Sequence, residues 1–469
     1  MRLRLLTPVL AITLATTLAI AGCSKNTGTA PDSSNKTDGG RGNTSTFALD
    51  IDTASYTYAA RTINDGSRVD ASKVRPEEFV NYFDQNYPEP AGDGFTVQAD
   101  GARLPSSGGQ TRILRVGLQT RSEDAEDRRD ANLTFVIDIS GSMAETGRLD
   151  LVKDALHYLV DQLRPTDAVA IVTFNDKAHI VREMTKASDS AHLHAAIDSL
   201  KANGSTNLGQ GLSAGYQLAR DSFRPNATNR VILLSDGLAN TGTTDANTML
   251  QRIRDEADKQ ITLLGVGVGS DYGDALMEQL ADRGDGFVVY ISERKQARDL
   301  FVRKLPATLA VRAYDAKAQV VFDRTTVESF HLVGYEDRAL NAEDFRDDSV
   351  DGGEVGPGHS VTALYLVRLR PNADGHMADV KVRWLDPKTR EASERHASVD
   401  TGDLDVAFSD ASPTLQVSYV AAMFAEYLRG RKTSTLDQLI DLAQAANQSF
   451  DADPQVEELI SLMRLAKRL

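Results

Sequence analysis

Thr134-Phe-Val-Ile-Asp138-Ile-Ser140-Gly-Ser142 passes from apolar to polar at a single residue. Leu133 to Ile137 form a short apolar run rich in β-branched side chains, which predicts a fully buried strand ending at Asp138. A glycine-containing loop follows, then a helix with Leu149, Val152, Leu156, Leu159, Val160 and Leu163 on one face. Open α/β sheets bind ligands at the carboxyl ends of central strands. Asp138, Ser140 and Ser142 are hard oxygen donors at alternate positions, so one tight loop can aim all three at one ion. Few carboxylates with neutral hydroxyls suit Mg2+ best, and Mn2+ accepts the same donors.

Two later stretches extend the pattern. Thr206 lies in Asn203-Gly-Ser-Thr-Asn-Leu208, just ahead of a helix, and Asp236 ends the apolar strand Val231-Ile-Leu-Leu-Ser-Asp236-Gly237. These residues together resemble the metal-ion-dependent adhesion site of the von Willebrand factor type A domain, and the resemblance covers about Ala131 to Leu305. It implies that Asp138, Ser140, Ser142, Thr206 and Asp236 hold Mg2+, with Mn2+ or Ca2+ as alternatives. It also implies an open coordination position that an acidic side chain of a partner protein or polymer fills. Two carboxylates ~5 Å apart at an effective dielectric of about 20 repel by roughly 3 kcal/mol, and a divalent cation reverses that sign.

Around this stretch the expected fold is α/β. A doubly wound, mostly parallel sheet (131–305) follows from buried strands alternating with helices. An N-terminal α+β region (47–125) precedes it. A C-terminal β-sandwich-like domain with terminal helices (310–469) follows, with strands at Lys317–Phe322, Val327–Tyr335, Ser360–Leu369 and Ala378–Trp384. Phe95 to Leu118 is a candidate to join that C-terminal sheet, and Arg121 to Asp130 reads as a solvated connection. Phe47-Ala-Leu-Asp-Ile-Asp-Thr-Ala-Ser-Tyr56, Tyr272 to Asp282 and Val350 to Leu366 are similar to the YfbK-type bacterial lipoprotein group.

The first 22 residues read as a signal peptide, with Arg2 and Arg4 ahead of an apolar segment to Ala21. Ile20-Ala-Gly-Cys23 resembles a lipobox, which implies acylation (palmitate) at Cys23 and a lipid anchor in the bacterial envelope. The expected location is the periplasmic face of the outer membrane or the cell surface. Residues 23–46 then form a flexible leash of polar residues, with a span of roughly 25–30 Å. A single cysteine allows no disulfide within the chain. The net charge is −15 over 469 residues, and losing Arg2 and Arg4 makes it −17. Such a surface repels phosphate backbones, which sets nucleic acid aside.

Three function classes stand open: cation-dependent binding, a scaffold in which the ion only braces the fold, and an enzyme acting on an envelope polymer. The enzyme class lacks a general base or nucleophile beside the metal site, so the expectation is a non-enzyme. Other motifs carry bland readings. Asp50-Ile-Asp52 lacks the rest of a phosphatase loop, and His192 and His194 sit at i and i+2, on different helix faces. Asp347-x-Ser-x-Asp-Gly352 opens like a calcium loop but has Gly358 where the bidentate glutamate belongs, so it reads as a solvated acidic loop. The oligomeric state is not legible.

Overall fold

The computed structural model describes residues 42–92, 94–104, 110–122, 128–237, 246–257, 259–269, 277, 280, 287–291, 294–298, 300–301, 311–348, 350–387, 389–450 and 452–469. The expected signal segment, Cys23 and most of the expected helix Asp274–Arg283 lie outside these residues.

In chain order the strands are β1 (Thr44–Ala48), β2 (Phe95–Arg103), β3 (Thr111–Thr120), β4 (Asp130–Asp138), β5 (Ala168–Phe174), β6 (Ala178–Lys186), β7 (Ala227–Ser235), β8 (Ile261–Val268) and β9 (Phe287–Ile291). They continue as β10 (Ala313–Phe322), β11 (Val327–Leu332), β12 (Ala339–Leu340), β13 (Gly353–Val355), β14 (Ser360–Leu369), β15 (His376–Leu385) and β16 (Ala392–Asp400). The helices are α1 (Ala54–Asn64), α2 (Pro76–Asn81), α3 (Arg148–Gln162), α4 (Ser190–Asp198), α5 (Leu208–Asp221), α6 (Ala246–Ala257), α7 (Arg294–Arg298), α8 (Pro413–Leu428), α9 (Leu436–Asn447) and α10 (Pro454–Ala466).

The central sheet has the order β6-β5-β4-β7-β8-β9. All pairs are parallel except β5 with the edge strand β6. The apolar run of β4 is buried on both faces. Leu133, Phe135 and Ile137 join the core beneath α3, whereas Val136 points into the core beneath α5. That alternation is the period-2 geometry of a strand. The chain leaves β4 toward β5 on one side and returns as β7 on the other, so the strand order reverses between β4 and β7. The crevice of a doubly wound sheet opens at such a reversal. Helix α5 lies close on this sheet because Gly211 and Gly215 carry no Cβ. A Cβ on Gly215 would come within 2.2 Å of Val136 Cγ2, and one on Gly211 within 2.6 Å of the Phe174 ring.

Two antiparallel sheets pack face to face beside this domain. One runs β12-β1-β10-β15-β16, with β13 also on β10, and the other runs β11-β14-β3-β2. Phe47, Leu114, Val116, Val320, Tyr365 and Val382 from both sheets share one core, which makes a sandwich. Strands from before and after the central domain are thus interleaved, with β3 pairing onto β14 and β2 onto β3. Helices α1, α2, α8, α9 and α10 bury a second apolar cluster with Ala102, Ile113 and Leu364 of the four-stranded sheet.

Several expectations need correction. The leash, expected to run through residue 46, ends earlier, because Thr44–Thr46 pair with β10. Their polar side chains are buried with partners: Tyr365 donates to Ser45 Oγ at 3.1 Å and Gln319 donates to Thr46 Oγ1 at 3.0 Å. The strand expected through Tyr335 stops at Leu332, because Gly334 and Tyr335 take φ of 79° and 62°. The end of the supposedly solvated connection is buried, with Arg128 making a two-pronged ion pair to fully buried Asp167 at 2.5 and 3.0 Å. The acidic loop after Asp347 is exposed at Asp347, Asp348 and Asp351, in line with its reading as solvated, and it is anchored where the Asp347 carbonyl accepts from buried Lys317 Nζ at 2.6 Å and Asp348 pairs with Arg383 at 2.8 Å.

Candidate metal centre

Asp138, the last residue of β4, is 0% exposed. Its Oδ1 accepts the Ser140 backbone N–H at 2.8 Å, and its Oδ2 accepts the Ser235 hydroxyl at 2.7 Å. Burial pushes the Asp138 carboxyl above its ordinary value, the two hydrogen bonds oppose the shift, and the charge of Asp236 adds to it. Such a group is one whose charged form gains most from a cation.

From Asp138 the polar atoms run on in a chain. Ser140 Oγ lies 3.1 Å from Ser142 Oγ, and the Ser142 hydroxyl donates to Asp236 Oδ1 at 2.9 Å. Arg148, at the start of α3, donates to Asp236 Oδ2 at 2.7 Å, with side chains 13% and 2% exposed. Asp236 follows β7, and β7 neighbours β4 with Leu234 opposite Ile137, so adjacent strands deliver the two acids to one end of the sheet.

Thr206 is 5% exposed and immediately precedes Asn207, which caps α5 by accepting from the Gln210 N–H at 3.2 Å. Its loop is stitched to the loop after β4: Asn203 N donates to Ile139 O at 2.7 Å, and Gly141 N donates to Gly204 O at 3.0 Å. Gly204 makes this approach feasible. Its φ is 80°, and a Cβ there would stand 2.7 Å from Asp176 Oδ2. The structure therefore links Asp138, Ser140, Ser142 and Asp236 in one cluster and lays the Thr206 loop against it.

The donor set fits a hard divalent cation. Every candidate donor is oxygen, and two of the residues are carboxylates, of which Asp236 pairs with Arg148. The Ser140–Ser142 and Ser142–Asp236 separations, 3.1 and 2.9 Å, are hydrogen bonds that hold these hard oxygen donors side by side.

Sequence reading missed Ser235 and Arg148. Ser235 looks like one more strand residue, and Arg148 like a surface residue at a helix start. Only the meeting of three loops shows both touching the acids. Asp50 ion-pairs with Arg338 at 3.1 Å, a structural use of the Asp50-Ile-Asp52 segment. Asp315, Asp351 and Glu354 bring carboxylate oxygens within 4.8 Å of one another, but in the sandwich rather than at the end of β4. Cys23 lies outside the described residues.

Comparison with known proteins agrees with this architecture. Residues 132–303 match the von Willebrand factor type A domain, 30–115 match a family described as von Willebrand factor, and 307–375 match the C-terminal region of YfbK. The chain is 32% identical to the uncharacterized protein YfbK of Escherichia coli (strain K12) over 451 residues, covering 90% of this chain and 77% of that one. It is 31% identical to the uncharacterized protein sll0103 of Synechocystis over 295 residues, covering 60% and 68%. A solved von Willebrand factor type A protein from Catenulispora acidiphila superposes with a TM-score of 0.50 at 18% identity, over 77% of this chain and 88% of that one, a likeness of fold. The chain belongs to the von Willebrand factor type A domain proteins, in the group that includes YfbK.

Proposed function

We propose that this protein is an envelope lipoprotein that binds a partner through a Mg2+-dependent adhesion site. Type A domains are typically protein-interaction modules. The convergence of the buried Asp138 carboxylate, the Ser140 and Ser142 hydroxyls and Asp236 at one end of the sheet carries the metal reading. In this reading Asp138, Ser140, Ser142, Thr206 and Asp236 hold the ion. When bound, the ion supplies a Lewis-acidic position for a partner carboxylate. The protein's own part is to hold these donors together at the end of the sheet. The centre contains hydroxyls and carboxylates already engaged with one another, so binding rather than turnover is its role.

Acylated Cys23 would anchor the chain in the bacterial envelope. Among the described residues no helix is long and apolar enough to cross a membrane. Cys23→Ser should move the protein from the membrane fraction to the soluble fraction.

The test is isothermal titration of Mg2+ into residues 42–469 beside Asp138→Ala, followed by capture of acidic peptides with and without Mg2+. One-site binding lost in the variant, with Mg2+-dependent capture, supports the reading. Metal binding with no capture reduces the centre to a brace for the fold. Absence of Mg2+ binding in the unaltered protein sinks the metal assignment.

A further inference from the structure

Two histidines meet where α3 and α4 lie side by side, away from the end of the sheet that carries Asp138. His157 on α3 and His194 on α4 place their Nδ1 atoms 2.6 Å apart. The ring centroids are 4.9 Å apart and the planes diverge by only 21°. The centroid distance exceeds the nitrogen distance by about one ring width, so the rings meet edge to edge with Nδ1 head-on. Each Nε2 faces a carboxylate on the opposite helix: His157 Nε2 lies 3.2 Å from Asp198 Oδ1, and His194 Nε2 lies 3.2 Å from Asp161 Oδ1. The four residues form a crossed square, because His157 and Asp161, like His194 and Asp198, are four apart on their helices.

A carboxylate beside Nε2 favours the ring proton there and turns the Nδ1 lone pairs toward each other. Two such lone pairs at 2.6 Å repel unless a cation, a proton or a metal ion, lies between them. A histidine whose far nitrogen is backed by a carboxylate is also the arrangement found in metal-ligating histidines.

We propose that His157 and His194 form a transition-metal site, taking a borderline ion such as Zn2+ or Ni2+ between their Nδ1 atoms, with Asp161 and Asp198 as the supporting carboxylates. Imidazole suits these ions, whereas the hard-oxygen centre near Asp138 suits Mg2+. Metal–nitrogen bonds of 2.0–2.1 Å at a tetrahedral angle require the nitrogens to stand about 3.3 Å apart. The rings must therefore part by about 0.7 Å, a small rotation for side chains 28% and 29% exposed. Solvent completes the shell. The two sites are separate: His157 lies nine residues beyond Arg148, about 13 Å along α3.

The test is calorimetric titration of Zn2+ into the full chain in excess Mg2+, beside His157→Gln, His194→Gln and Asp138→Ala. Histidine ring 15N spectra of the unaltered chain accompany it. One Zn2+ per chain, weakened at least tenfold by either histidine change and kept by Asp138→Ala, is the expected result. The ring spectra should show two Nδ1 signals moving on Zn2+ addition. Equal affinity in the histidine variants, loss of Zn2+ in Asp138→Ala, or Nδ1 signals unmoved by Zn2+ overturns the assignment. In the last case the pair is held by a shared proton alone. Because the spectra are read on the unaltered chain, a variant that fails to fold does not spare the proposal.

Discussion

At the mouth of the metal centre, Arg148 sets a fixed positive charge 2.7 Å from Asp236 Oδ2. Gly269, with φ of 99°, makes room for it, since a Cβ there would lie 2.8 Å from Arg148 Nε. Two consequences oppose each other. In the metal-free protein Arg148 offsets the repulsion between the acids, and with metal present it competes for Asp236. Arg148→Gln should therefore lower the metal-free melting temperature, since breaking a buried pair costs about 3 kcal/mol. It should also tighten Mg2+ binding roughly tenfold, about 1.4 kcal/mol. Weaker Mg2+ binding in that variant would mean that Arg148 mainly aims Asp236 Oδ1 at the ion. At this scale the sequence was most readable where donors are spaced locally, as in Asp138, Ser140 and Ser142. Arg148, ten residues past Asp138, and His157, 37 residues before His194, have no local pattern to betray them.

The short helix α2 shows what an element can hide. Its first turn carries the two acids Glu77 and Glu78, and Glu77 is 2% exposed. Its Oε2 is buried with no hydrogen-bond partner among the described groups, pressed against Gly334, where a Cβ would come within 2.2 Å. Burial raises its carboxyl from 4.5 to about 7, with the charges of Asp50 and Glu336 adding to the rise and backbone N–H groups opposing it. The folded state therefore holds a proton that the unfolded state releases between pH 4.5 and about 7. Stability falls as pH rises through that window and levels off above it, by about 3 kcal/mol at most. Glu77→Gln keeps the neutral shape and should remove this loss. Denaturant unfolding at pH 5 and pH 8 measures it: the variant should gain over the unaltered chain at pH 8 and not at pH 5. An equal gain at both pH values would show that Glu77 is charged in the folded protein. The spacing of Phe79, Val80 and Phe83 in the sequence marks the inward side of this segment. It could not show that the loop after β11 seals the acidic turn.

At the scale of the whole molecule, the strands of the sandwich were legible as alternating runs, but their partners were not. Pairing depends on register with residues more than 200 positions away, as in Thr46 opposite Gln319. Strand β16 escaped notice because its run of Glu394, Arg395 and His396 is largely exposed and shows no apolar face. The parallel strands were easier, since they are continuous apolar runs, and β4, β7 and β9 are each followed by a helix. This difference predicts different fates for the pieces. Residues 128–305 contain the whole central sheet and the helices on it, and should fold alone with a cooperative thermal transition. The transition should come at a lower temperature than in the full chain, because Ala54 and Tyr58 of α1 no longer cover Val231, Leu263 and Val288. Residues 311–469 should not fold alone. Without β1 the interior strand β10 loses a neighbour, without β3 the strand β14 becomes an edge, and the core loses Phe47, Leu114, Val116 and Leu118. An unpaired apolar edge of that kind aggregates. Circular dichroism and denaturant unfolding of the two pieces decide the matter, and adding residues 42–122 in trans should recover soluble sandwich. A sharp cooperative transition from residues 311–469 alone would mean that the sandwich needs none of the strands contributed from the other side of the central domain.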